Sequence, residues 1–342
     1  MSMVFERQLP TPEEIKEKYH LSADIIEKKR VRDIAIQNIF SGKDDRLALI
    51  IGPCSADREN SVMDYIHRLA KLQEEVSDKI LFIPRVYTNK PRTTGDGYKG
   101  MVHQPDPNKK PDMLEGLLAI RRLHTRCIEE TGFGCADEML YPENYSYLSD
   151  VLSYVAIGAR SVENQQHRLT ASGIDVPVGM KNPTSGEISV MLNAITAATH
   201  PHTYIYRGCE VHTSGNPLAH AVLRGSSDKY GQAIPNYHYE DLQHLIESYS
   251  ERNPEYMSIV VDANHYNSNK KYEQQTRICK EVIHSCRLSK DIHKALKGIM
   301  IESYIEDGCQ AVDGGVYGKS ITDPCLGWEK TKDLVLRLAD LW

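Results

Sequence analysis

Eight short apolar runs, separated by longer stretches of helical length and periodicity, constrain the fold of this chain more than any other feature. The runs are Leu47 to Ile51, Ile80 to Val86, Gly132 to Ala136, Val155 to Gly158, Val176 to Met180, Thr203 to Tyr206, Met257 to Val261 and Gly298 to Ile301. Helices are expected over Ser61 to Val76, Asp112 to Glu130, Glu187 to Thr199, Tyr239 to Glu251 and Lys271 to Leu288, with a closing helix over Lys330 to Leu341. Strands buried on both faces read as continuous apolar runs, and parallel strands need crossovers of helical length. Eight such units in 342 residues predict an α/β fold, a single (β/α)8 TIM barrel, rather than a doubly wound open sheet. Residues 1–45 are charged and helical in tone, and form an expected N-terminal extension for packing, oligomerisation or regulation, with the barrel over 46–342. The segment Gly208 to Gly225 is long for a simple βα connection and predicts a small hairpin insertion after strand six.

The composition, 40% hydrophobic, can fill a core of this size. No apolar run has membrane-spanning length and the first residues lack the apolar core of a signal peptide, so a cytoplasmic protein without a membrane partner is expected. A net charge of −6 argues against a nucleic-acid partner. Eight cysteines with no CxxC pair suit reduced thiols and one metal ligand better than a disulfide framework. Any cationic site must therefore concentrate its charge locally.

Barrel sites are built where strands end. Those positions hold Cys54 after strand one, Arg85 at the end of strand two, Asp137 and Glu138 after strand three, and Arg160 after strand four. They continue with Lys181 and Asn182 after strand five, Arg207 and Arg224 around strand six, Asp262, Asn264 and His265 after strand seven, and Glu302 after strand eight. Strand two also feeds Lys90-Pro91-Arg92-Thr93-Thr94 and a glycine-rich continuation, a loop whose fork of guanidinium donors, ammonium and hydroxyls suits phosphate. Each group has an ordinary alternative. Cys54 could be a buried thiol, His265 a hydrogen-bonded rim residue, Glu302 the partner of a rim arginine, and Asp323 a helix cap. Together Cys54, His265, Glu302 and Asp323 would make a divalent site suited to Mn, Fe, Co or Zn rather than Mg or Ca. The cations Arg85, Lys90, Arg92, Arg160, Lys181 and Arg224 exceed the need of one phosphate and suit two phosphorylated substrates, one also a carboxylate. Lys181 as a Schiff-base lysine is the lesser alternative.

Several strings are more specific. Ile51-Gly52-Pro53-Cys54-Ser55, Arg85 with Lys90 to Thr94, Ile157-Gly158-Ala159-Arg160, Val178-Gly179-Met180-Lys181-Asn182, Leu223-Arg224-Gly225 and Gly318-Lys319-Ser320-Ile321-Thr322-Asp323 occur in this order. Over residues 45–335 the chain resembles the type I 3-deoxy-D-arabino-heptulosonate 7-phosphate (DAHP) synthases. The resemblance implies condensation of phosphoenolpyruvate with erythrose 4-phosphate at the start of the shikimate route to aromatic amino acids. It implies one divalent metal ion per subunit (Mn2+, Fe2+, Co2+ or Zn2+) on Cys54, His265, Glu302 and Asp323. Phosphoenolpyruvate would be held by Arg85, Lys90, Arg160, Lys181 and Arg224, and erythrose 4-phosphate by Pro91, Arg92, Thr93 and Asp323. Lys90, His265 and Glu138 would carry the chemistry.

The chain departs from the commoner pattern in three places. The loop continues Gly95-Asp96-Gly97-Tyr98-Lys99, one residue longer; Pro183-Thr184-Ser185 follows Asn182; and strand seven ends Asp262-Ala263-Asn264-His265-Tyr266-Asn267. The N-terminal extension and the stretches near Tyr145 and Asp175, which shape the family's feedback pocket, match less well, leaving an aromatic amino acid effector open. A homodimer or homotetramer is the implied assembly. The rivals are a 3-deoxy-manno-octulosonate 8-phosphate synthase using arabinose 5-phosphate, and a silent phosphosugar-binding protein on the same fold. Cys325, two residues after Asp323, is expected near Cys54 and able to pair with it on oxidation.

Overall fold

The computed structural model describes residues 2–342. Its eight-stranded sheet comprises Leu47–Gly52, Ile80–Pro84, Cys135–Glu138, Leu152–Ile157, Val178–Lys181, Ala219–Leu223, Ile259–Asp262 and Leu296–Glu302, all paired in parallel. The first strand pairs with both the second and the eighth. A parallel bridge from Arg85 to Ala136, with Val86 N–H donating to Ala136 O at 2.9 Å, joins the second strand to the third and closes the barrel.

Period-two alternation sorts the barrel into two cores. In Leu47–Gly52, Leu47, Leu49 and Ile51 join the cluster beneath the surrounding helices, whereas Ala48 and Ile50 join a second cluster inside the barrel. Inward-facing Ile83, Tyr154, Ala156, Val222, Val260 and Met300 fill the same interior, and Ile36, Ile39 and Phe40 of the helix Ala23–Phe40 pack into it. Ser258 Oγ, just before the seventh strand, donates to Phe40 O at 2.7 Å, which fixes that helix at the barrel's N-terminal end. The later part of the N-terminal segment thus completes the barrel core. Ahead of it, Thr11 and Glu14 form a capping box for the short helix Pro12–Lys18.

The outer helices follow the expected periodicity. Met113–Thr131, for example, starts where the Asp112 carboxylate accepts from Leu114 and Glu115 N–H and stops at Gly132, whose φ of +74° suits glycine. That stop explains why the third strand begins at Cys135 and runs through Glu138, later than the apolar run suggests.

One strand assignment is corrected. Thr203–Tyr206 lies outside the barrel; it pairs antiparallel with Cys209–His212 in a hairpin ahead of the sixth barrel strand, which is Ala219–Leu223. Residues of the hairpin strand alternate between exposed and half-buried, as a two-stranded ribbon on the surface requires. A second small pair, Ser226–Ser227 with Ala233–Ile234, follows the sixth strand. No helix among the described residues is long and apolar enough to cross a membrane.

Candidate active site

The C-terminal ends of the barrel strands converge on one cleft of about 120 Å³, lined by Cys54, Arg85, Lys90, Pro91, Arg92, Glu138, Arg160, Lys181, Arg224, His265, Lys270 and Asp323 among others. A larger cavity, about 920 Å³, opens at the other end of the barrel beside Phe40, Leu296 and Trp342. Size alone does not mark the site; the convergent polar groups do.

Arg85 is the floor of the cleft. Its guanidinium is 2% exposed, stacks 3.8 Å from the Tyr87 ring centroid, and donates to Pro53 O at 3.1 Å and to Glu302 Oε1 at 2.9 Å. Burial alone would pull its pKa down, but the surrounding negative charges, Glu302 first among them, together outweigh it and the guanidinium stays ionised. Glu302 is held in turn by Asn264, which donates to Oε2 at 2.6 Å, and by Gln275, which bonds its backbone N–H and C=O. The close approach of the first two strands requires Gly52, since a Cβ there would lie 2.4 Å from Arg85 O.

Lys90 Nζ stands 2.8 Å from Cys54 Sγ and 2.8 Å from Asp323 Oδ2, while Lys270 Nζ reaches Asp323 Oδ1 at 3.1 Å. Burial works against the charge on both Lys90 and Asp323. The opposite charges together win, Cys54 and then Asp323 at Lys90, Lys90 and then Lys270 at Asp323, so the lysine pKa rises and the carboxyl stays far below the usual carboxylate range. Burial and the neighbouring Glu302 push the Cys54 thiol up.

On the opposite wall Lys181 Nζ pairs with Asp262 Oδ2 at 3.3 Å. His265 Nδ1 comes within 2.8 Å of the same oxygen without the alignment of a hydrogen bond, and both atoms are left without a hydrogen-bond partner among the described residues. Burial depresses the His265 pKa and Lys181 and Arg224 add to that, against the pull of Asp262. His265 also has a left-handed φ of 50°, a strained backbone for a non-glycine residue that costs about 1–3 kcal/mol. Arg224 is buried beside Tyr266, its backbone N–H donates to Asn182 Oδ1 at 2.9 Å, and its Nη1 has no hydrogen-bond partner among the described residues.

Cys54 Sγ and one oxygen each of Glu302 and Asp323 lie within 4.8 Å of one another. His265 Nε2 is 3.8 Å from Glu302 Oε1 but outside that compact set. A sulfur, two carboxylates and an adjacent imidazole fit a first-row divalent ion. The Lys90 ammonium, bridging Cys54 and Asp323, shows that these donors already gather positive charge, and the unbonded Nδ1 of His265 is a second mark of that fit.

Of the residues expected to bind substrate, Arg85, Lys181 and Arg224 are buried in the cleft, Arg160 lines it from an exposed position, and Glu138 faces it from the third strand. Pro91 and Arg92 line it too, with Arg92 Nε donating to Tyr98 O at 2.9 Å, whereas Thr93 is exposed beyond the lining. Arg207 is elsewhere, on the hairpin, pairing with Glu13. Sequence reasoning gave no role to Asp262, Lys270 or Asn264. The adjacency of Asp262 and Asn264 to His265 was a usable signal, but nothing in the sequence ties Lys270 to Asp323.

Comparison with known proteins accords with this geometry. Residues 21–336 match the model of the DAHP synthetase I family. The Phe-sensitive phospho-2-dehydro-3-deoxyheptonate aldolase of Escherichia coli K12 is 38% identical over 314 residues, covering 90% of this chain and 86% of that protein. The Tyr-sensitive enzyme of the same strain is 37% identical over 345 residues, covering 97% and 92%. The solved structure of a phospho-2-dehydro-3-deoxyheptonate aldolase from Francisella tularensis SCHU S4 superposes with a TM-score of 0.92 at 30% identity, over 99% of this chain and 98% of that one. The chain belongs to the DAHP synthetase I family of enzymes.

Proposed function

We propose that the chain condenses phosphoenolpyruvate, D-erythrose 4-phosphate and water to 3-deoxy-D-arabino-heptulosonate 7-phosphate and inorganic phosphate, the first step of the shikimate pathway. The observation that carries this reading is the charge of one cleft. Seven cationic side chains line it (Arg85, Lys90, Arg92, Arg160, Lys181, Arg224 and Lys270) against two acidic ones, Glu138 and Asp323. Even with Glu302 and Asp262 buried behind Arg85 and Lys181, that excess of positive charge suits more than one phosphate of about −2.

Arg85, Lys181 and Arg224, with Arg160 at the rim, bind the phosphate and carboxylate of phosphoenolpyruvate. Pro91, Arg92 and Thr93, with Asp323, receive the sugar phosphate. C3 of phosphoenolpyruvate bonds to the aldehyde carbon, water adds at C2, and the C2–O bond breaks to release phosphate. Lys90 keeps a proton beside Cys54 and Asp323 and presents it to the aldehyde oxygen as that atom gains charge. The Glu138 carboxylate faces C2, where positive charge develops, and orients the incoming water. Cys54, His265, Glu302 and Asp323 would hold a divalent ion, Mn, Fe, Co or Zn, which would supply Lewis-acid stabilisation to an oxygen that gains charge.

The effector is an aromatic amino acid, as the relatives' names, Phe-, Trp- and Tyr-sensitive, suggest. A cavity of about 490 Å³ between the helix Pro12–Lys18 and the hairpin, lined by Lys16, Tyr145, Asp150, Asp175, Tyr206 and Arg207, suits it. We further read the protein as a cytoplasmic homodimer or homotetramer, with residues 1–45 contributing to assembly or regulation.

A periodate–thiobarbiturate assay with phosphoenolpyruvate, Mn2+ and either aldose phosphate tests the reading. Turnover with erythrose 4-phosphate is expected. Turnover with arabinose 5-phosphate alone supports the octulosonate synthase, and none with either supports a silent binding protein. Repeating the assay with each aromatic amino acid tests the effector.

A further inference from the structure

One buried carboxylate at the mouth takes no part in the chemistry above, yet it bonds to segments that do. Asp137 lies in the third barrel strand, one residue before its last, Glu138, and is 3% exposed. Its Oδ1 accepts from Thr88 N–H at 2.9 Å and from Glu138 N–H at 2.7 Å, and its Oδ2 accepts from the Thr88 hydroxyl. Thr88 is the root of the loop that presents Lys90 and Arg92. Its carbonyl accepts from Val102 N–H at 3.2 Å, and Lys90 N–H donates to Lys99 O at 3.0 Å, so the base of the loop is laced shut. A Cβ on Gly100, whose φ is +100°, would lie 2.4 Å from Thr88 O, so the two sides of that base lie in close contact.

Behind Asp137 lies His124, on the helix Met113–Thr131 and fully buried. Its Nε2 is 3.5 Å from Asp137 Oδ2, and neither ring nitrogen makes a hydrogen bond within the described residues. Leaving a buried polar group unbonded costs about 1–3 kcal/mol, so an imidazole facing a carboxylate there calls for a reason beyond filling space.

We propose that Asp137, backed by His124, is a positioning residue for the condensation: one carboxylate fixes the Lys90 loop relative to Glu138, so that the group facing the aldehyde oxygen and the group facing C2 keep their spacing. This rests on the functional reading above. The physical consequence is selective. Asp137 bonds to Thr88 and Glu138 and not to Arg85, Lys181 or Arg224, so phosphoenolpyruvate keeps those contacts when Asp137 is altered. A displacement of about 1 Å between the loop and Glu138 is enough to cost about a hundredfold in turnover.

The test is Asp137→Asn, which keeps size but turns one acceptor oxygen into an amide donor facing the Thr88 donors. Two readouts are taken beside the parent protein: steady-state kinetics with a separate phosphoenolpyruvate dissociation constant, and amide hydrogen exchange. The variant should lose about ten- to a hundredfold in kcat, show a raised KM for erythrose 4-phosphate, and hold its phosphoenolpyruvate dissociation constant within about twofold. Exchange should accelerate about tenfold or more in peptides spanning 88–100 and stay unchanged in the closing helix Trp328–Leu341. Unchanged exchange in 88–100 overturns the proposal whatever the activity. So does faster exchange throughout the chain with phosphoenolpyruvate and sugar affinity falling together, since that marks a merely structural carboxylate. A parent protein with no turnover on either aldose phosphate refutes the functional reading, and the exchange result still decides whether Asp137 fixes the loop.

Discussion

Acidification should destabilise this barrel through His220 by an amount that the structure sets. His220 lies in the sixth barrel strand, fully buried, with the Phe40 and Tyr154 ring centroids 4.4 and 5.4 Å from its own. Its Nδ1 is 2.8 Å from Leu218 O and its Nε2 2.8 Å from Tyr154 Oη. One neutral tautomer, with Nδ1–H donating to the carbonyl and Nε2 accepting from the phenol, satisfies both contacts; a second ring proton would meet the phenol proton. Burial pushes the pKa down to about 4 from an ordinary 6.5, with the Leu218 carbonyl opposing only in part. The unfolded chain therefore takes up a proton below pH 6.5 that the folded chain refuses until about pH 4. The stability is complete above the unfolded pKa and drains as pH falls toward the folded one. Between pH 7 and pH 5 the linkage comes to about 2 kcal/mol, and over the whole window to about 3 kcal/mol. Urea unfolding of the parent and of His220→Gln at the two pH values isolates this contribution, because every other titrating group is common to both. The parent should lose about 2 kcal/mol more than the variant on acidification. Equal losses would refute the claim that the fold holds this imidazole neutral.

Three further outcomes concern the site. Gly158→Ala should fold normally yet reduce kcat about tenfold, because a Cβ there would lie 2.4 Å from Glu138 Oε1 and push that carboxylate aside; unchanged kcat would show that Glu138 needs no fixed place. Cys54→Ala should keep its fold but lose Mn2+ binding by calorimetry and all turnover, and full activity of that variant in chelator would sink the proposed metal site. Peroxide should inactivate the metal-stripped parent faster than Cys325→Ala, since both buried thiols reach Asp323, Cys54 Sγ at 3.5 Å from its Oδ2 and Cys325 Sγ at 3.6 Å from its carbonyl oxygen; equal rates would exclude a Cys54 to Cys325 disulfide as the cause.

Much of the barrel was legible because its strands are buried on both faces. Leu47–Gly52 and Leu296–Glu302 have no exposed residue, and a run of that kind has few alternatives. The sixth strand was not legible for a local reason. Ala219–Leu223 contains His220 and two alanines, so it scores as a weak strand, whereas the β-branched and aromatic Thr203–Tyr206 scores as a strong one and spends that propensity on a surface hairpin. Rim residues were legible through their positions at strand ends. What the sequence could not show is pairing across the mouth, because Lys181 and Asp262, Arg85 and Glu302, or Lys90 and Asp323 meet only once the barrel closes.

Those pairings give the cleft its logic. A site that collects several cations for two anionic substrates must keep them charged and aimed while it is empty, and mutual repulsion with desolvation works against both. Here each principal cation has its own carboxylate: Glu302 at 2.9 Å from Arg85, Asp323 at 2.8 Å from Lys90, and Asp262 at 3.3 Å from Lys181. Glu302 and Asp262 are fully buried, so they hold the cations from below and leave the open side to the ligand. Arg224 is the exception, with a buried Nη1 that nothing among the described residues satisfies. An anion entering the cleft finds three cations already oriented and a fourth whose hydrogen-bonding capacity is still open. The orientation has therefore been settled during folding, and binding need not spend it again.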